Sequence, residues 1–142
     1  MNLSALVVAL LVSFGAISSA YADERDDATE EATTIVKLLG AKKYREVWEQ
    51  HAGTIFMKYG TEESFVAYHT MGRVQLAEQT HTQVVAVDAS NYDPGTQFSG
   101  KIYAVTFLNQ YGSTKLYERV VVFLDGSSFK LGGYFVAPVP TQ

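Results

Sequence analysis

Apolar positions along this chain change period once. Between residues 23 and 79 they recur at helical spacing, and from residue 80 onward they alternate. The first stripe is Ala28, Ala32, Ile35, Val36 and Leu39, at i, i+4, i+7, i+8 and i+11, and it predicts a helix over Asp23–Gly40. Acids crowd its start and Lys37 lies near its end, which suits the helix dipole; Gly40 is a stop signal. A second short helix is predicted over Ala41–His51, with Tyr44, Val47 and Trp48 on one face and Gly53 beyond its end. A third starts after Thr61, an N-cap residue followed by Glu62 and Glu63. Its expected inward stripe is Phe65, Tyr68, Gly72 and Leu76. Gly72 costs helix stability relative to alanine, so a close packing contact is expected there.

The alternating half predicts four strands. In Thr80–Ala89, Val85 and Val87 share one face, with Val84 and Ala86 on the other. Asn91–Gly95 carries turn residues, and Lys101–Asn109 places Tyr103, Val105 and Phe107 together. After the turn Tyr111-Gly112-Ser113, Leu116–Leu124 is the most strand-like run. Asp125-Gly126 then signals a hairpin into Phe129–Ala137, and Pro138 and Pro140 cannot extend a ladder. Helices followed by a meander imply an α+β domain, with N-terminal helices packed on a curved antiparallel four-stranded sheet.

Residues 1–22 change the picture of where this domain works. They contain no charged side chain, and Ala5–Ile17 is an apolar run shorter than the ~20 residues of a membrane span. Ala20-Tyr21-Ala22 offers small residues at a cleavage site. The expectation is a signal peptide over residues 1–22, with an uncleaved N-terminal anchor as the alternative, a single domain over 23–142, no membrane span after cleavage, and a periplasmic or secreted bacterial protein. All 11 basic and 15 acidic residues fall after the leader, for a net charge of −4. A mildly acidic chain lacks the broad basic field that nucleic-acid binding needs. Without cysteine there is no disulfide framework, thiol chemistry or cysteine-ligated zinc.

An ordered set of residues carries a family resemblance. Trp48, Phe56, Lys58 and Gly72 occur in the helical half. Phe107, Lys115, Glu118, Asp125-Gly126 and Gly133-Tyr134 follow in the strands. In this set the chain resembles the bacterial secreted family known as domain of unknown function 4019, over about Ala28 to Ala137. Arginines that the family often places around the helix glycine correspond to Tyr68 and Ala77, with Arg73 offset. The helix-then-sheet order also resembles the nuclear transport factor two-like superfamily, which implies a cone with an open pocket. That superfamily holds isomerases, dehydratases and non-catalytic binding domains, and fold does not choose among them.

Candidate chemistry is sparse. His51, His69 and His81 lack metal-ligand spacing and read as surface or helix-end residues, so no metal site and no cofactor is expected. Ser64 and His69 stand five apart, on poorly matched helix faces, and no nucleophile elbow or phosphate loop occurs. In a cone, Tyr103, Glu118, Tyr68 and His69 converge on the pocket as ligand-binding residues. Glu118 with Tyr103 is the one catalytic alternative: a buried carboxylate with a raised pKa beside a phenol suits an isomerase or dehydratase. The competing reading pairs Glu118 with Lys115, Lys101 or Arg119 on a half-exposed sheet face. Nine tyrosines and eight phenylalanines serve either sheet packing or an aromatic pocket for a small apolar ligand. The expectation is a non-catalytic binding or protein-interaction domain, with a homodimer or a periplasmic protein as alternative partners. A periplasmic antagonist of immunity type is the third class.

Overall fold

The computed structural model describes residues 13–141, with side chains from Ala20 onward. Residues 1–12 of the predicted leader lie outside that range. Helix α1 spans Ser13–Gly40, and its stripe is the one the spacing predicts: Ala28, Ala32, Ile35, Val36 and Leu39 are all fully buried. Burying a Val, Leu or Ile side chain contributes about 1.5–3 kcal/mol, so this face anchors the helix to the sheet. The α1 terminus closes with a Schellman pattern, in which Lys43 N–H donates to the Leu38 carbonyl at 2.9 Å and Lys42 N–H to Leu39 at 3.1 Å. The left-handed residue of that cap is Lys42, at φ 61°, rather than Gly40. Among the described residues no helix is long and apolar enough to cross a membrane.

The predicted helix over Ala41–His51 is a single turn, α2 (Tyr44–Glu46), continued as a wider π-helical turn over Val47–His51. Tyr44 and Val47 are buried there, and Trp48 packs at the edge of the core. One further helix, α3 (Thr54–Met57), was not legible in the sequence. The hairpin residue Asp125 creates its start, accepting from Thr54 N–H and Thr54 Oγ1, both at 2.8 Å. Helix α4 covers Glu62–Arg73 behind the expected Thr61 cap, where Thr61 and Ser64 satisfy each other's backbone N–H groups.

The four strands form one open antiparallel sheet in the order β1 (Gln79–Asp93), β2 (Phe98–Tyr111), β3 (Thr114–Asp125), β4 (Ser128–Pro138). Helices followed by this meander establish the α+β class. Helix α1 lies across the inner face, against Val105, Phe107, Val120, Val122 and Leu131. Gly126 takes φ 66° in the β3–β4 hairpin, the left-handed conformation such turns require.

The strand register shifts at four places, and the two in the middle of β1 and of β4 bear on which side chains point inward. In β1 the pairing runs Val84 with Phe107 and then Ala86 with Thr106, so Val85 is the extra residue. Val84 and Val87 therefore share one face of the strand, Val87 packed on the core and Val84 exposed, which corrects the strict alternation expected over Thr80–Ala89. In β4 Leu131 pairs with Val122 and Gly133 with Val121, leaving Gly132 as the extra residue. Before it Phe129 and Leu131 face the core; after it Tyr134 takes the inner position opposite Val120. A Cβ on Gly132 would stand 2.7 Å from the Phe123 ring, so only glycine fits this bulge without displacing that ring.

Candidate functional site

The inner face of α4 decides the site. The expected stripe Phe65, Tyr68, Gly72, Leu76 is corrected to Phe65, His69 and Arg73, spaced by four and all buried. Tyr68 is 59% exposed, and nothing lies within 4 Å of the place a Gly72 side chain would occupy, so no close contact explains that glycine. The helix turns Arg73 toward the sheet because the sheet supplies hydrogen-bond partners for it, while His69 is packed among rings.

Arg73 meets those partners on three strands. One terminal nitrogen donates to Tyr111 Oη at 3.1 Å; the other donates to Tyr134 Oη at 2.8 Å and to the Glu118 carboxylate. Both phenols donate onward to Glu118, Tyr111 to Oε1 and Tyr134 to Oε2. Asn109 Nδ2 donates to Oε1 at 3.0 Å, and Thr82 Oγ1 donates to Asn109 Oδ1, which fixes the amide orientation. All four strands thus contribute to one network. A carboxylate has about four acceptor directions, and here four donors fill them. Arg73 Nε is buried with no partner among the described residues.

The electrostatics follow from that geometry. Burial opposes the Arg73 cation, but the Glu118 carboxylate and the Tyr134 and Tyr111 oxygens outweigh it and hold its pKa above the usual range. Burial, and then the adjacent Glu118 charge, raise the pKa of both Tyr111 and Tyr134, so the phenols stay protonated as donors. His69 sits between this network and the outside. Burial, with the Arg73 cation second, lowers its pKa to about 4 against a weaker opposing pull from Glu118. Its ring is packed by Tyr44 at 5.6 Å, Phe65 at 4.5 Å, Tyr68 at 5.0 Å and Tyr134 at 5.0 Å. The expectation of a surface or helix-end histidine is therefore corrected for His69. His51 instead pairs with Glu31 at 2.6 Å.

Outside His69 opens a cavity of about 310 Å3, lined by Trp48, Phe56, Tyr59, Phe65, Tyr68, His69 and Tyr134, with Gly60 and Ser64. Trp48, Phe56 and Phe65 pack on one another at centroid distances of 5.7–6.0 Å and make its back wall. Among the expected ligand-binding residues, Tyr68 and His69 line this cavity. Glu118 lies behind it, fully buried and saturated. Tyr103 lies elsewhere: it pairs with Val122, four residues along β2 from the Phe107–Glu118 pair, or roughly 13 Å, and packs edge-on to Phe129. The expected surface pairing of Glu118 is likewise corrected, since Lys101 pairs with Glu24 and Arg119 with Asp88.

Arg73, Asn109, Tyr111 and Tyr134 were not legible as a group. Two signals pointed toward them. Arg73 is in phase with Phe65, and a glutamate in the apolar run of β3 demands a buried cation. No group of three or more histidine, aspartate or glutamate side chains among the described residues is placed to hold a metal.

Comparison with known proteins leaves the site as the main guide to function. No curated protein matches the chain, and no solved structure matches it. A family model does match, over residues 31–134, a stretch that begins within α1 and ends on Tyr134. It contains every residue of the cavity and of the Arg73–Glu118 network, and by it the chain belongs to the family described as protein of unknown function (DUF4019).

Proposed function

We propose that this chain is a non-catalytic binding domain of the periplasm or the secreted fraction, and that its working site is the aromatic cavity over His69. The observation that carries the reading is the contrast between that cavity and the polar network behind it. Pockets that bind small molecules are mostly apolar, with a few placed polar groups, and this one fits that description. The secretory location rests on the leader sequence.

The isomerase or dehydratase alternative needs Glu118 to take a proton from a substrate. Its oxygens are already filled by Arg73, Tyr111, Tyr134 and Asn109. A general base has to reach the proton it removes, and this carboxylate lies behind His69 and Tyr134. The network is better understood as the rigid floor that holds His69 and Tyr134 in place.

The test is the native mass spectrum of the chain purified from a secreting host, recorded beside the denatured spectrum. The expected result is a denatured mass that begins at Asp23, and a native mass that exceeds it by a small molecule lost on unfolding. The Tyr68→Ala variant should carry less of that molecule. A bare native protein that also shows no Trp48 fluorescence response to small-molecule probes would overturn the small-ligand reading in favour of a protein partner.

A further inference from the structure

The cavity wall has a feature that a general apolar site does not require. Seven of its nine residues are rings, and no leucine, isoleucine, valine or methionine lines it. A neutral apolar ligand is served equally well by aliphatic walls. Ring faces carry negative electrostatic potential, and a wall made of them favours a cation.

The surrounding charges agree. No lysine, arginine, aspartate or glutamate lines the cavity. His69, the one lining group that could turn positive near neutrality, is held uncharged by burial. Arg73 lies behind His69, and its charge is cancelled at contact by Glu118. The chain as a whole is negative, at −4. A cation approaching the mouth meets no positive side chain in the wall.

The same wall limits the kind of cation. A primary ammonium brings three N–H donors, and leaving donors unpaired on burial is costly. The wall offers such donors only neutral acceptors, the Tyr59, Tyr68 and Ser64 hydroxyls and the His69 ring, and no carboxylate to match the charge. A fully alkylated nitrogen has no N–H, presents only methyl or methylene surface, and spreads its charge over that surface. We infer that the cavity takes a quaternary ammonium group on a small organic body, held among the rings of Trp48, Tyr59 and Tyr68. This rests on the reading of the cavity as the working site.

An isosteric pair of probes separates the two claims. Choline and 3,3-dimethylbutan-1-ol have nearly the same shape and differ in the charge at the central atom. Both are titrated against the full chain while Trp48, its single tryptophan, is followed by fluorescence. Choline is expected to bind about five- to thirty-fold more tightly than the alcohol, the range cation–π contacts supply. Tyr68→Leu keeps an apolar side chain at a largely exposed position but removes a ring face, and should reduce that ratio. Equal binding, or tighter binding of the alcohol, would overturn the cation inference and leave the cavity as an apolar site. No response to either probe would overturn both.

Discussion

Arg73 on α4 and Glu118 on β3 stand 45 residues apart in sequence and form an ion pair with both side chains withdrawn from water, at 6% and 0% exposure. Desolvating two charges costs several kcal/mol per ion, and such a pair holds only when geometry and extra hydrogen bonds repay it. Tyr111, Tyr134 and Asn109 supply those bonds. Glu118→Gln would leave the guanidinium buried without its counter-charge and should cost about 3–5 kcal/mol in urea unfolding. Arg73→Met should cost a similar amount, and the double variant less than the two together, because each single change strands the other charge. A loss below about 1 kcal/mol for either single variant would mean that the pair is open to solvent.

His69 gives the fold a pH dependence with a defined sign. Its folded pKa is about 4, below the 6.5 of an unperturbed imidazole, chiefly because burial disfavours the charged ring. The unfolded chain therefore binds a proton there first as pH falls. Stability from this site is complete above about pH 6.5 and is lost progressively down to about pH 4. Melting temperature followed from pH 7 to pH 4 should fall, and His69→Phe should flatten that decline, since phenylalanine suits the surrounding rings and does not titrate. An unchanged slope in the variant would place the titrating group elsewhere.

Gly132 controls where Tyr134 points. The bulge it forms shifts β4 by one residue, and the added Cβ of Gly132→Ala would press on a Phe123 ring that is itself buried and stacked on Phe98 at 4.7 Å. Overpacking of this kind typically costs about 1–3 kcal/mol. The variant should unfold at lower urea and show an altered near-ultraviolet tyrosine signal as Tyr134 leaves Glu118. Wild-type stability and spectrum would show that the strand absorbs the methyl group without moving.

Lys42 is an exposed residue in the left-handed conformation that closes α1. An L side chain there is strained by roughly 1–2 kcal/mol, and glycine is not. Lys42→Gly should therefore raise the unfolding free energy by about 0.5–1 kcal/mol, net of the entropy glycine adds to the unfolded chain. Destabilisation would mean that the lysine side chain makes a contact that outweighs the strain.

Much of the architecture was set by local physics and was therefore legible. The α1 stripe from Ala28 to Leu39, the Thr61 cap, the change of period near residue 80 and the Asp125-Gly126 hairpin each depend on residues close in sequence. Together they determined helices followed by a four-stranded meander. The family resemblance read from the ordered aromatic, lysine and glycine positions holds over residues 31–134. What the sequence left open was the inner surface. One-residue bulges at Val85 and Gly132 invert the alternation downstream of them, and a bulge depends on packing against the neighbouring strand rather than on the run itself. Hydrophobic periodicity cannot identify the inner face of α4, because that buried face is made of His69 and Arg73. That face is stable only because Tyr111, Glu118 and Tyr134, 38 to 61 residues downstream of Arg73, satisfy its charge, and only the closed tertiary structure brings them within hydrogen-bond reach.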